Sequence, residues 1–438
     1  MSGTVYAANG DDPNSVLAET GEDSYLVKDV VITGNKKHSS EEIFKLVPEA
    51  KRPLVRPGQL SRQLSLLNDG QVMRIESHLA PVGDREYKLT LNVEEVKNDR
   101  FAVSLNNLGN DYTGKWRLGL NYYNTDLTHN GDAMGVAYTT SPDHISDVTQ
   151  AAFTYKAIFP NSGDSMYFSY GYSDVDMGTI ASFGGLNIEA DGKGHTAGLH
   201  YQRNMLHNKA HQQMLDIGFD YKFYKSGQNW VGLGVNNNNS YHVGTLSVTY
   251  YDITRQPYDT LGWNVGWTTN LIGDRQEYDR VRANSDQRFN IFKIGANYQY
   301  RDQSDWLVGL RAFCQYSPDD LITSEQLGGG GLGSVRGFMD RVATGDKGFG
   351  GSVEVYTPQF IPDSRFVVFL DAAHLVNNHV NVGEKDERNL AAIGLGYRYS
   401  NDKLGLYASL DYAKPVSYGA LDENRCLRPW TFMLTKTF

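Results

Sequence analysis

Residues 215–223 read Leu-Asp-Ile-Gly-Phe-Asp-Tyr-Lys-Phe. Every second residue is large and apolar or aromatic, and the residues between are charged or glycine. That is the period of an extended strand with two unlike faces. The pattern recurs. Met166, Phe168, Tyr170 and Tyr172 oppose Tyr167, Ser169 and Gly171. Leu404, Leu406, Ala408, Leu410 and Tyr412 oppose Gly405, Tyr407, Ser409 and Asp411. A soluble sandwich also alternates. Here, however, the apolar faces end in Tyr and Trp, and the other faces carry charge. A lipid-facing wall with aromatic girdles around a wet lumen has that distribution.

The totals agree with this reading. The chain has 438 residues, of which 40% are hydrophobic, and its mean hydropathy is -0.47. No apolar run reaches the roughly 18 residues that a membrane helix needs. A β-barrel escapes that test, because only alternate residues meet lipid. Gly (45) and Tyr (28) are both abundant, as turns and girdles require. A net charge of -10 argues against a nucleic-acid partner. Two cysteines make neither a disulfide framework nor a metal cage. No nucleophile elbow or nucleotide loop is present, so no enzyme, cofactor or metal is expected. His207 and His211 lie four apart, but in a polar turn with Asn208 and Lys209.

Alternating segments begin near residue 101 and end at 430–438, and number about sixteen, within the range of outer-membrane barrels. Their connections alternate in length. Short turns such as 160–163 and 400–402 follow the even segments. Longer polar loops, among them 175–194, 225–240, 274–287, 318–347, 376–388 and 414–429, follow most odd ones. Short turns on the periplasmic side and long loops outside are the expected asymmetry. The stretch 231–240, with four consecutive Asn, reads as a mobile tip. Trp430, Phe432, Leu434 and Phe438 share one face of the last strand. An aromatic C-terminal strand suits a segment handled by barrel-assembly machinery.

Before the barrel the pattern differs. Residues 1–24 are polar and aperiodic, and Val5-Tyr6-Ala7-Ala8 has the small-residue spacing of a signal-peptidase site. An export-signal remnant and an ordinary polar tail both fit. Residues 25–98 read as strand, helix, helix, strand, strand. Ser39 and Glu42 form a capping box. Leu60, Leu64 and Leu67 mark the second helix, which ends at Asn68-Asp69-Gly70.

The longest loop contains Leu327-Gly-Gly-Gly-Gly-Leu-Gly-Ser-Val-Arg-Gly-Phe-Met339. Glycine-rich backbone is costly to order, so something must hold it. Arg336 is the handle, because its fork of donors fits a carboxylate. In the segment 365–375, Phe366, Val368 and Leu370 share lipid parity, while Phe369 and Asp371 face the lumen. A lipid-facing carboxylate would be costly, which assigns Asp371 inward.

These residues carry a resemblance. Val335-Arg336-Gly337-Phe338 resembles the Val-Arg-Gly-Tyr/Phe loop motif of the outer-membrane assembly and two-partner secretion superfamily, and Phe369-Leu370-Asp371 resembles its Phe-x-Asp strand. The stretch from Asn124 to Asp132 resembles the turn between that superfamily's second and third strands. Residues 25–98 resemble a POTRA domain. The branch most similar is that of the hemolysin secretion/activation transporters. The resemblance implies a 16-stranded outer-membrane barrel over residues 99–438, with the loop 318–347 folded into the lumen and Arg336 paired with Asp371. It implies a periplasmic POTRA-like domain at 25–98 behind a flexible segment, 1–24. It implies secretion of an unfolded partner exoprotein through the lumen, in contact with outer-membrane lipid. A barrel-assembly factor and a passive porin are the alternative readings. The relatives usually carry two POTRA domains and a plug helix, and residues 1–24 hold neither. Either one module does the docking or the sequence belongs to a longer chain.

Overall fold

The computed structural model describes residues 24–110, 113–174, 178–183, 186–190, 193–230, 235–381, 384–419, 421 and 426–438. Most of the polar lead-in, with its Ala-Ala site, lies outside the described residues. Sixteen antiparallel strands close into one barrel. They are β1 (Asp99–Asn106), β2 (Arg117–Asn124), β3 (Ala133–Thr140), β4 (Gln150–Phe159), β5 (Asp164–Ser173), β6 (Lys193–His207), β7 (His211–Trp230) and β8 (Val235–Arg255). The wall continues with β9 (Asp259–Ile272), β10 (Asn290–Arg301), β11 (Leu307–Tyr316), β12 (Lys347–Tyr356), β13 (Ser364–Val376), β14 (Glu387–Asn401), β15 (Leu406–Tyr418) and β16 (Trp430–Thr437). Each strand pairs with its neighbour in sequence, and β16 returns to β1. Closure removes the unpaired edges that lipid could not satisfy.

The alternation sorts side chains as the physics requires. On β7, Ile217, Phe219 and Tyr221 are exposed on the outside while Asp216 is buried within. On β13, Phe366, Val368 and Leu370 face out, and Phe369 and Asp371 are buried. The joint between β16 and β1 is the shortest pairing in the wall, running from Met433↔Asn106 to Thr437↔Ala102. Phe438 adds a main-chain bond to Phe101 O of 2.8 Å.

Three loops differ from the sequence reading. Strands β7 and β8 continue to Trp230 and Val235, so the Asn run belongs to a ribbon, and residues 231–234 lie outside the described residues. The 175–194 loop contains a hairpin, Gly178–Phe183 with Leu186–Ala190. The 274–287 loop contains helix Arg275–Val281, whose N-cap Asp274 accepts from the Gln276 and Glu277 amides at 2.8 and 3.1 Å. Polarity hid all three, because none of these stretches carries a sustained apolar period of its own.

Residues 25–94 form a separate α+β layer. Its sheet places Leu54–Val55, Tyr25–Thr33, Glu86–Glu94 and Arg74–Gly83 side by side. Helices Ser40–Leu46 and Pro57–Asp69 bury Ile43, Leu46, Leu60, Leu64 and Leu67 against that sheet. The capping box is formed, with Ser39 N donating to Glu42 Oε2 at 2.7 Å. Leu54–Val55 is a further strand that the five-element sequence reading lacked; two residues are too few to show a period.

The module sits on the short-turn end of the barrel. His38 Nε2 lies 2.6 Å from Asp126 Oδ2, in the turn between β2 and β3. Gln63 donates to Pro160 O at 3.1 Å, and Arg62 reaches Asn204 O. His207 meets Asp69 at 2.8 Å. The histidine pair read as a solvated turn therefore includes one docking residue. Glu95 anchors this joint, because one of its oxygens accepts from the amides of Lys36, Lys37 and His38. Burial opposes its ionisation, but those donors outweigh burial and hold the carboxyl down at about 2.

A depressed carboxyl stabilises the fold above its unfolded value, ~4.3 for Glu. That stabilisation is lost as pH falls from there through about 2. Hydrogen exchange of module amides followed across this range should show protection falling toward the acid end. Glu95→Gln should flatten that part of the profile, and an unchanged profile would remove Glu95 as its source.

Candidate functional site: the lumenal arginine

The chain between β11 and β12 does not stay outside the barrel. It folds back inside, ordered by short pairings of Leu327–Gly329 with Ala343–Gly345 and of Gly337–Phe338 with Leu427–Arg428. Gly337 has φ +90, and a Cβ there would lie 3.1 Å from Ala413 Cβ. Glycine answers both constraints. The turn it makes delivers Val335 and Phe338 into an apolar cluster with Ala373, Leu375, Leu390 and Cys426. Phe338 meets Tyr418 edge-on, 6.0 Å between centroids.

That packing leaves Arg336 only 6% exposed, so its charge must be met within the protein. Nε donates to Asp371 Oδ2 at 2.7 Å and Nη2 to Asp371 Oδ1 at 2.7 Å. The backbone amide of Arg336 adds a third bond to Oδ2 at 3.0 Å. Nη1 lies 2.7 Å from Glu354 Oε1, and Nη2 donates to Ser352 Oγ at 3.0 Å. Ser352 in turn donates to Asp371 Oδ1 at 2.6 Å. The guanidinium carbon stands 3.5 Å from the centroid of Phe369, whose ring presents its negative face to the cation. Behind that ring is Gly394, where a Cβ would be 2.2 Å from Phe369 Cζ. Arg311 holds the same turn from the wall, donating to Leu332 O and Ser334 O at 3.3 and 3.2 Å.

The residues singled out from sequence thus meet: Val335, Arg336, Gly337 and Phe338 on the loop, Phe369 and Asp371 on the wall. Ser352 and Glu354 were missed. Their signal was available, since both share the inward parity of β12 and pair directly with Asp371 and Phe369. Only the register between β12 and β13 was needed to place them. Trp430, Phe432 and Phe438 lie elsewhere, along the closing strand, where Phe432 contacts Trp116 and Phe438 contacts Phe101. The Arg336 arrangement is a contact between an inserted loop and the wall.

A polar, loop-filled lumen inside an apolar, aromatic-capped wall of sixteen strands defines an outer-membrane β-barrel. The family model described as haemolysin secretion/activation protein ShlB/FhaC/HecB matches residues 86–399, and the chain belongs to that family. The family is one of outer-membrane transport proteins acting in two-partner secretion. Among curated relatives, the heme/hemopexin transporter protein HuxB of Haemophilus influenzae is 20% identical over 348 residues, covering 76% of this chain. The chain spans 59% of that relative's length. Among solved structures, CdiB from Escherichia coli superposes with a TM-score of 0.68 at 16% identity, covering 99% of this chain and 94% of that one. CdiB from Acinetobacter baumannii gives 0.70 at 16% identity, covering 95% and 74%. At those identities the likeness is one of fold.

Removing one partner of a buried ion pair costs about 3–5 kcal/mol. Asp371→Asn should therefore release the loop often enough for trypsin to cut after Arg336 at least about 100-fold faster. Timed proteolysis of the inserted barrel measures this. Equal cleavage rates would show that the rest of the loop, not this contact, holds it in place.

Proposed function

We propose that this chain is the outer-membrane conduit of a two-partner secretion pair. In this reading residues 25–98 are a POTRA domain in the periplasm, behind a flexible segment at 1–24. The domain captures an unfolded exoprotein and feeds it into the lumen of the barrel at 99–438. Its sheet ends on Arg74–Gly83, an edge strand with a free side, and an extended polypeptide can add there as a further strand. His38, Gln63 and Asp69 seat the module against the turns at 125–132, 160–163 and 207–211, which keeps it at the short-turn end of the barrel. Trp430, Phe432 and Phe438 serve earlier, as the strand that barrel-assembly machinery reads.

The observation that carries the reading is the buried Arg336–Asp371 contact. A passive porin needs no glycine-rich loop pinned inside its lumen by a multiply bonded cation. A conduit that must stay shut between cargoes does. Arg336 and Asp371 are then a latch, with Glu354, Ser352 and Phe369 shaping it. Transport draws on no nucleotide; folding of the cargo outside biases its direction.

Arg336→Ala should lower secretion of the partner exoprotein by roughly tenfold or more, while the barrel still inserts. A charge-assisted bond of about 1.5–3 kcal/mol sets that scale. Immunoblots of culture medium, with heat-modifiable migration of the barrel as the insertion control, read it out. Normal secretion by the variant would sink the latch. Loss of other barrels from the membrane of a deletion strain, with secretion intact, would favour an assembly factor.

A further inference from the structure

A second buried charge holds the same loop at its outer base. Asp346, immediately before β12, has no solvent exposure. Its Oδ1 accepts from Leu321 N at 2.9 Å and Gln326 Nε2 at 3.0 Å, and its Oδ2 accepts from Asn378 N at 2.9 Å. Arg282 donates to both oxygens, at 3.3 and 3.4 Å. Arg282 is 5% exposed and spends its other donors on Leu321 O at 2.9 Å, on His379 O at 3.1 Å and on Glu384 at 2.8 and 3.1 Å.

These partners belong to three different connections at the long-loop end. Arg282 follows helix Arg275–Val281 between β9 and β10. Leu321, Gln326 and Asp346 lie in the inserted loop between β11 and β12. Asn378, His379 and Glu384 lie between β13 and β14. Two of these connections, the β9–β10 connection and the inserted loop, also share an apolar cluster through Tyr278, Val281, Leu321 and Ile322, while the β13–β14 connection joins them through polar contacts. The shared element is one carboxylate and one guanidinium, both withdrawn from water and each completed by the other loops' main chain. Such a network has two discrete conditions, because separating the loops leaves a buried charge on each side without its donors or acceptors. Partial opening is therefore unfavourable.

We infer that Arg282 and Asp346 form an outer gate, separate from the Arg336 contact and in series with it. This inference rests on the conduit reading, in that a gate presupposes a pore. The inner contact fixes the tip of the loop to the wall. The outer knot fixes its base to the two flanking loops across the exit. A chain leaving the lumen has to part the outer knot even after Arg336 has let go.

Single-channel recordings of the purified full chain in planar bilayers test this, with wild type, Asp346→Asn, Arg336→Ala and the double variant. Loss of one charge-assisted contact is expected to raise open probability about tenfold for each single variant. For independent gates in series the factors multiply, giving about a hundredfold for the double variant. A merely structural role for Asp346 would not produce that product. Should Asp346→Asn not insert, Arg282→Lys replaces it, keeping the charge while losing the fork that spans Asp346, Glu384 and Leu321 O. Channels opened by Arg336→Ala and indifferent to the outer variant overturn the outer gate and leave the conduit standing. An outer variant that opens the channel but adds nothing to Arg336→Ala overturns its independence. Silence from all four proteins overturns the conduit reading, and the gate falls with it.

Discussion

A guanidinium ion that has left water is the constraint around which this barrel is arranged. Burying Arg336 requires negative charge and hydrogen-bond acceptors at fixed places. The wall supplies them from two adjacent strands: Asp371 and Phe369 from β13, Ser352 and Glu354 from β12. Placing them requires the register Ser352↔Asp371 and Glu354↔Phe369, and a slip of one residue by either strand would turn its pair toward lipid. It also requires Gly394 behind Phe369, since any side chain there would push the ring into the space the cation uses. Wall register, strand parity and glycine placement thus follow from one buried charge.

The inserted loop also reaches the joint that closes the barrel. Gly337–Phe338 pairs with Leu427–Arg428, just ahead of β16, and Arg428 donates to Leu108 O at 3.1 Å, just past β1. The loop that carries Arg336 is thereby tied to chain on both sides of the closing pair. At the other end, the α+β layer rests on three turns through polar contacts such as His38–Asp126 and Gln63–Pro160, with Leu46 and Ile158 meeting near Gly131.

Much of this was legible in the sequence. Sixteen alternating segments became sixteen strands because lipid on one side and water on the other enforce a period of two over the whole wall. The Arg336–Asp371 pairing was legible for a related reason: parity put Asp371 inside, and a resemblance named its partner. Illegible were contacts that depend on which distant segments become neighbours. Arg282 looks like any loop arginine, and nothing in residues 275–284 announces Asp346. His38 looks like a solvated residue before a helix cap until Asp126 is brought to it. Glu354 was in a strand already recognised, and only the offset between two strands separated it from the site.

The pairing of β16 with β1 bears on how the barrel comes to exist. Every other seam joins strands that are consecutive in the chain, so each can form as a hairpin at low cost in loop entropy. The last joins Ala102–Asn106 to Met433–Thr437, and offers the shortest pairing for the longest loop. Contacts of such sequence separation form late and slowly. Until they form, the sheet presents two open edges at membrane depth, which lipid cannot satisfy. Synthesis of the final strand is therefore also the earliest moment at which the sheet can shed its edges. A sheet waiting for that strand needs shielding in the interval.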